Sequence, residues 1–430
     1  MTQGLAARKA AHALMTAVLV HRRLLDEARG TNKVLRELEP RDAGFALAIA
    51  ATTLRRLGQI DGVLARLLEK PLPERATAAH TILRAGIVEL LFLRVPAHAA
   101  VDSAVEIAAR DAATRGFKNL INAVLRRAAR EGDALIAAQD EATLNTPGWL
   151  FERWQECFGE DTARAIGLAH LGEAPLDFSV KKDPELWAKT LDAEILPTGS
   201  LRRASGGRIE DLPGYSEGAW WIQDAAAALP ALLLGDVRDA PAVDLCAAPG
   251  GKTAQLASRG ARVTAVEISE KRATRLRDNL RRLKLDAELV VADAREFRPE
   301  TPSPFVLLDA PCTATGTIRR HPDLPHLRKP ADIATASALQ RELLAAAAGM
   351  TAANGVLVYA VCSLEPEEGE QVIEDFLSRH SSFRRLPVKA REIGGFDFAI
   401  TKQGDVRTLP SHLADKGGMD GFFIARLSRG

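Results

Sequence analysis

The sequence predicts an α/β protein in which a C-terminal, Rossmann-like, mostly parallel sheet follows an all-α section and a small α+β connector. Three observations carry that expectation. Beyond residue 241, short apolar runs at 242–245, 263–266, 289–292, 305–308 and 356–360 alternate with helical patterns, the texture of buried parallel strands joined by helices. Residues 1–140 are rich in Ala, Leu and Arg, poor in Gly, and carry helix-period patterns broken at Pro71, Pro73 and Pro96. Between them, 141–224 mixes two helical stretches, near 148–157 and 162–170, with strand-like pieces and Gly/Pro turns. The expected domains are therefore 1–140, 141–224 and 225–430, matching the roughly 150 residues per domain that 430 residues suggest.

Composition narrows the function classes. Apolar residues make up 47% and charged residues 26%, so the chain is globular rather than disordered or collagen-like. Four cysteines, far apart, form neither a disulfide framework nor a zinc pattern. They suit a reducing compartment in which a thiol can be kept for chemistry.

The all-α section comes first. Arg8, Lys9 and the apolar stretch that follows resemble an export signal, but the stretch runs into His21, Arg22 and Arg23 without a cleavage pattern. Ala13, Ala17, Val20 and Leu24 recur at helical spacing and predict an amphipathic helix. The apolar run 87–93 is interrupted by Glu89 and ended by Arg94 and Pro96, short of the roughly 20 residues a membrane span needs. A cytoplasmic protein with no membrane association is expected. The section holds 21 Lys/Arg against 15 Asp/Glu, and its last helix sets Lys118, Arg126, Arg127 and Arg130 on or near one polar side. That patch is a candidate RNA contact.

In the C-terminal section, ligands are expected beyond the carboxyl ends of the strands. The first run ends in Asp244-Leu245 and continues as Cys246-Ala247-Ala248-Pro249-Gly250-Gly251-Lys252-Thr253. Gly250 and Gly251 permit a sharp turn and close approach to a ligand. A phosphate-binding P-loop would need glycine where Cys246 stands, and the dinucleotide G-x-G-x-x-G is absent. Glu267, after the second run, suits ribose hydroxyls, and Asp293, after the third, suits an adenine amino group. A loop followed by two such acids points to an adenosine ligand without pyrophosphate, S-adenosylmethionine more naturally than NAD.

The fourth and fifth runs end at Asp309-Ala310-Pro311-Cys312 and at Val361-Cys362. Two of four cysteines thus stand on the ligand edge of one sheet; Cys157 is expected to be a small buried hydrophobe. A thiol beside a methyl donor makes sense for cytosine. Its carbon 5 is a poor nucleophile until a thiolate adds at carbon 6, and a second group must later remove the carbon-5 proton. With an ordinary thiol pKa near ~8.5, the addition needs help, and Asp309 is placed to protonate ring nitrogen 3. The base must also leave its stack, so single-stranded or looped RNA is the expected substrate form. These residues do not say which thiol attacks.

Together the segments Cys246 to Lys252, Asp309 to Cys312 and Cys362-Ser363-Leu364-Glu365-Pro366-Glu367-Glu368 resemble the RNA cytosine-5 methyltransferase family. The helical section, with Asn122-Ala123-Val124-Leu125-Arg126, resembles the NusB-like RNA-binding domain. The fusion is similar to the bacterial RsmB/Sun-type small-subunit ribosomal RNA methyltransferases over essentially the whole chain, and Trp221-Ile222-Gln223-Asp224 and Asp420-Gly421-Phe422-Phe423 match as well. The resemblance implies that Cys362 is the nucleophile and that Cys312 assists product release. It also implies that Cys246 to Lys252, Glu267, Asp293 and Asp309 contact S-adenosylmethionine, and that Asp309 serves catalysis too. The implied partner is small-subunit ribosomal RNA; no metal is expected, and the chain is expected to act as a monomer. Transfer RNA as substrate, or a non-catalytic RNA-binding assembly factor, are the alternatives. Two positions depart from the pattern, Val361 for a usual Thr and Ser179 for a usual Arg; Arg319 and Arg320 match it and are candidate phosphate ligands.

Overall fold

Ala- and Leu-rich stretches with apolar residues three and four apart become helices in this computed structural model, which describes residues 4–204 and 207–430. The first three residues of the expected first domain and two of the connector lie outside it. The chain divides into two units, one running to Leu171 and including Arg320–Arg328, the other comprising Gly172–Arg319 and Lys329–Gly430. The expected connector is shared between them: its two helices, Gly148–Phe158 and Glu160–Ala169, count with the first unit.

The first unit is all helical, and Pro71, Pro73 and Pro96 fall between helices as anticipated. The helix Leu5–Leu19 forms, with only part of the expected stripe buried. Ala17 is buried along with Ala7, Ala11, Leu14 and Val18, whereas Ala13 is exposed and Val20 and Leu24 lie exposed past the helix end. The bulkier stripe wins because buried area scales with side-chain size. Arg320–Arg328 joins this unit through Asp323, whose carboxylate accepts from Leu25 N at 2.9 Å, and His326, whose Nε2 lies 2.8 Å from Leu54 O.

The second unit begins with a small antiparallel sheet of β1 (Leu176–Val180), β2 (Glu194–Ile195), β3 (Leu201–Arg203) and β4 (Trp220–Ile222), in the order β2-β3-β1-β4. Its core centres on Phe178 against Trp220, ring centroids 4.9 Å apart. The large sheet follows: β5 (Pro241–Leu245), β6 (Arg262–Glu267), β7 (Glu288–Val291), β8 (Ser303–Asp309), β9 (Thr351–Val361), β10 (Phe383–Arg385), β11 (Val406–Thr408) and β12 (Phe422–Arg429). Its order is β10-β12-β9-β8-β5-β6-β7, with β11 also on β12. All five apolar runs lie on β5 to β9, which pair in parallel; β10 to β12 add an antiparallel edge.

The strand order reverses at β5, whose neighbours are β6 and β8. Crossovers on either side of such a point diverge and leave a crevice at the carboxyl ends. The helix Glu270–Leu283 illustrates how a crossover is held: Ser269 caps its start, Ala273, Leu276, Leu280 and Leu283 are buried, and Lys284 ends it in a left-handed conformation.

Candidate active site

Five strand ends converge on the crevice. Past β5, Cys246 takes φ 60° and Gly250 φ 102°, two left-handed turns that swing the loop off the sheet before the helix Gly251–Ser258. A Cβ at Gly250 would meet Leu276 Cγ at 3.0 Å, so glycine serves both conformation and packing. The buried Glu267 carboxylate at the end of β6 ties this loop down, accepting from Ala248 N at 3.2 Å and Ser269 N at 3.0 Å. Arg272 closes the same corner by donating to Ala248 O at 2.6 Å. Asp293, just past β7, pairs with Arg295 at 2.6 Å, and that hydrogen bond holds its carboxyl below the usual range.

A cavity of about 250 Å³ opens between these groups, lined by Cys246, Glu267, Ile268, Asp293, Arg295 and Pro311 among others. From the loop it takes Cys246 and not Ala247, Ala248, Pro249, Gly250, Gly251 or Lys252, which build the turn beside it. Ile268, Arg272, Arg295 and the leucines 339 and 343 of a distant helix escaped sequence reasoning. Ile268 had one available signal, its place directly after the acid.

Lys252 turns inward. Its Nζ lies 2.7 Å from Asp309 Oδ2 at the end of β8 and 5.3 Å from the centre of the Phe422 ring. Burial alone would lower its pKa, but the charge and hydrogen bond of Asp309 outweigh burial and raise it, with Cys362 and Asp244 adding to the effect. Burial also pushes Cys246 up to about 12, reinforced by Asp309 and Glu267; that thiol is a neutral wall.

Asp244 is fully buried, and burial pushes its carboxyl up to about 7, against the opposing hydrogen bond from Thr253 Oγ1 at 2.6 Å and the nearby Lys252 charge. The folded chain therefore holds this proton more tightly than the unfolded chain, whose value is 3.8. Stability from Asp244 is fully present below that value and is lost as pH rises toward about 7. Relative to Asp244→Asn, the wild type is expected to lose stability between pH 5 and 7 and then level off. Urea titrations across that range check it; a difference that rises with pH would contradict the burial argument.

The thiols meet at the next two strand ends. Cys312 Sγ and Cys362 Sγ are 3.4 Å apart, both partly exposed. The loops carrying them are bonded together through Ala310 N to Ala360 O at 2.9 Å and Gly316 N to Cys362 O at 3.0 Å. The contact with Cys362, together with burial, pushes the Cys312 thiol well above its ordinary value.

Several expectations need correction. Cys157 is exposed rather than buried, in the last turn of its helix. Arg319 is no phosphate ligand: it is 1% exposed and spends its donors on Asp224, Asp420 at 2.7 Å and Gly417 O at 2.8 Å. At the departing position, Ser179 is a buried hydroxyl bonded to Gln223 at 2.8 Å, and the nearby Lys181 donates to Leu283 O at 2.8 Å. Val361 lies wholly in the apolar core. Of the basic helical patch, Lys118, Arg126 and Arg130 are exposed, whereas Arg127 pairs with Glu131 at 3.0 Å and donates to Leu67 O.

Among the described residues, no helix is long and apolar enough to cross a membrane. Comparison with known proteins bears on this arrangement. The model of a family described as 16S rRNA methyltransferase RsmB/F matches residues 231–428, and that of the NusB family matches 5–130. Ribosomal RNA small subunit methyltransferase B of Pseudomonas syringae pv. tomato is 37% identical over 442 aligned positions, covering 98% of this chain and 96% of that protein. The protein of the same name from Vibrio cholerae is 35% identical, with 91% of each chain covered. Among solved structures, PH0851 matches with a TM-score of 0.76 at 23% identity, covering 98% of this chain and 99% of its own. A methyltransferase homolog protein from Pyrococcus horikoshii matches with 0.53 at 27% identity, over 65% of this chain and 94% of its own. With the cavity, the paired strand-end acids and the twin thiols all inside the matched region, the chain belongs to the 16S rRNA methyltransferase RsmB/F family.

Proposed function

We propose that the chain methylates carbon 5 of a cytosine in small-subunit (16S) ribosomal RNA through a covalent bond from Cys362. The observation that carries this reading is the 3.4 Å approach of two thiols at neighbouring strand ends, with the Asp309–Lys252 pair and the cavity at the same sheet edge. S-adenosylmethionine is the methyl donor, and the cavity suits it. Glu267 and Asp293 bring acceptors for hydroxyl and amino groups, while Ile268, 64% exposed, and Pro311 bring apolar surface for a flat ring. When bound, this cofactor supplies an electrophilic methyl group.

The residues divide the remaining work. The Cys362 thiol passes its proton to the Asp309 carboxylate, which Lys252 holds in place, and adds to carbon 6 as the thiolate while Asp309 delivers that proton to ring nitrogen 3, where the displaced electron pair collects. Carbon 5 is then electron-rich and takes the methyl group. The carbon-5 proton is lost to solvent, the ring double bond re-forms as Cys362 is expelled, and nitrogen 3 returns its proton to Asp309; Cys312, in contact with the departing sulfur, assists by donating its thiol proton to it. The raised pKa of Cys312 supports the division of roles, since it keeps that thiol protonated at rest.

The test is transfer of labelled methyl groups to unmodified small-subunit ribosomal RNA, followed by nuclease digestion and mass spectrometry. Label in 5-methylcytidine is expected. Label in another nucleoside, or transfer to transfer RNA alone, would refute the assignment.

The helical unit is assigned to RNA contact through Lys118, Arg126 and Arg130, which are exposed on one helix. Replacing all three by Ala is expected to flatten the plot of log affinity against log salt by about 2 to 3. Fluorescence anisotropy with fragments of the ribosomal RNA measures that slope, and an unchanged slope would remove this helix from the interface.

A further inference from the structure

We propose that Glu368 is a positioning residue that holds the two thiols in register. The inference rests on the assignment of Cys362 and Cys312 above. Its side chain is wholly buried, and one carboxylate bonds the residue that follows each thiol. Glu368 Oε1 accepts from the hydroxyls of Ser363, at 2.7 Å, and of Thr313. Oε2 accepts from Thr313 N at 2.9 Å and from Gln340 Nε2 at 2.9 Å. Gln340 also donates to Pro311 O at 2.9 Å, directly before Cys312.

The two thiols stand 50 positions apart in sequence, on loops that leave different strands. Loops are ordinarily the mobile part of a sheet protein, so a 3.4 Å contact between their side chains needs a tether. Glu368 supplies it with four donors on two oxygens, a satisfied buried carboxylate. Tyr359 anchors the tether from behind, its hydroxyl donating to Glu368 O at 2.6 Å. Glutamine can replace the carboxylate without moving the loops, because the hydroxyls of Ser363 and Thr313 can turn to accept from an amide. Alanine cannot.

The test compares Glu368→Ala with Glu368→Gln in two readouts. The first is turnover: Glu368→Ala is expected to lower kcat about 100-fold, the order that a misplacement near 1 Å costs. KM for S-adenosylmethionine should stay unchanged, and Glu368→Gln should recover most of the rate. The second needs no activity: phenylarsine oxide, which chelates closely spaced thiol pairs, should bind the wild type but neither Cys312→Ala nor Glu368→Ala. Unchanged kcat in Glu368→Ala, unchanged chelation, or a KM that rises in step with lost turnover would each overturn the proposal. If Glu368→Ala does not fold, Ser363→Ala severs the tether on the nucleophile's side, and full turnover with full chelation in that variant would overturn it instead. Failure of the thiol assignment shows separately, as turnover that survives Cys362→Ala.

Discussion

Cys362→Ala is expected to abolish methyl transfer, a loss on the order of 10⁴-fold or more, while S-adenosylmethionine still binds. The cavity is lined by Cys246, Glu267 and Asp293 and does not include position 362, so the cofactor site should survive the substitution. Cys312→Ala is expected to behave differently. Its sulfur touches Cys362 at 3.4 Å but is not the attacking atom in the proposed sequence, so addition and methylation proceed and release stalls. The product is a protein–RNA adduct stable to denaturing electrophoresis and absent from the double variant. Full activity in Cys362→Ala, or an adduct that forms without it, would transfer the nucleophile's role to another residue.

Glu89→Ala is expected to destabilise the helical unit by about 3–5 kcal/mol. Arg8 and Glu89 are 6% and 3% exposed and pair through both carboxylate oxygens, with Nε contacts of 3.0 and 2.9 Å and an Nη2 contact of 2.5 Å. Removing the carboxylate leaves a guanidinium in the core without its counter-charge. Replacing the pair together, Arg8→Met with Glu89→Leu, should recover most of the loss, since well-packed apolar groups often match a buried ion pair. Urea unfolding of the wild type, Glu89→Ala and the double variant measures both terms. A single-variant cost below about 1 kcal/mol would mean that solvent reaches the pair, as it does at surface salt bridges.

The same pair shows how far the chain can be read residue by residue. Arg8 looks like the start of an export signal and Glu89 like an interruption in an apolar run, yet each is the other's partner from 81 positions away. Helices, breaks at proline and the five parallel strands were legible because their causes are local: periodicity, turn residues and side-chain shape. The buried face of the first helix was partly misread because spacing alone does not weigh Leu14 and Met15 against Ala13 and Val20. The short antiparallel strands β10 and β11, of three residues each, carry too little pattern to be seen.

For the site, motif chemistry and spacing were enough to single out Cys246, Glu267, Asp293, Asp309, Cys312 and Cys362 and to set them at strand ends. Which of these groups touch one another was not written in any segment. Lys252 reads as part of a cofactor loop and is found on Asp309; Arg319 reads as a phosphate ligand and is found locked between Asp224 and Asp420. Local order follows from neighbours a few residues away, whereas pairing between distant side chains depends on how every intervening element packs, and burial then settles which charges are left for a ligand.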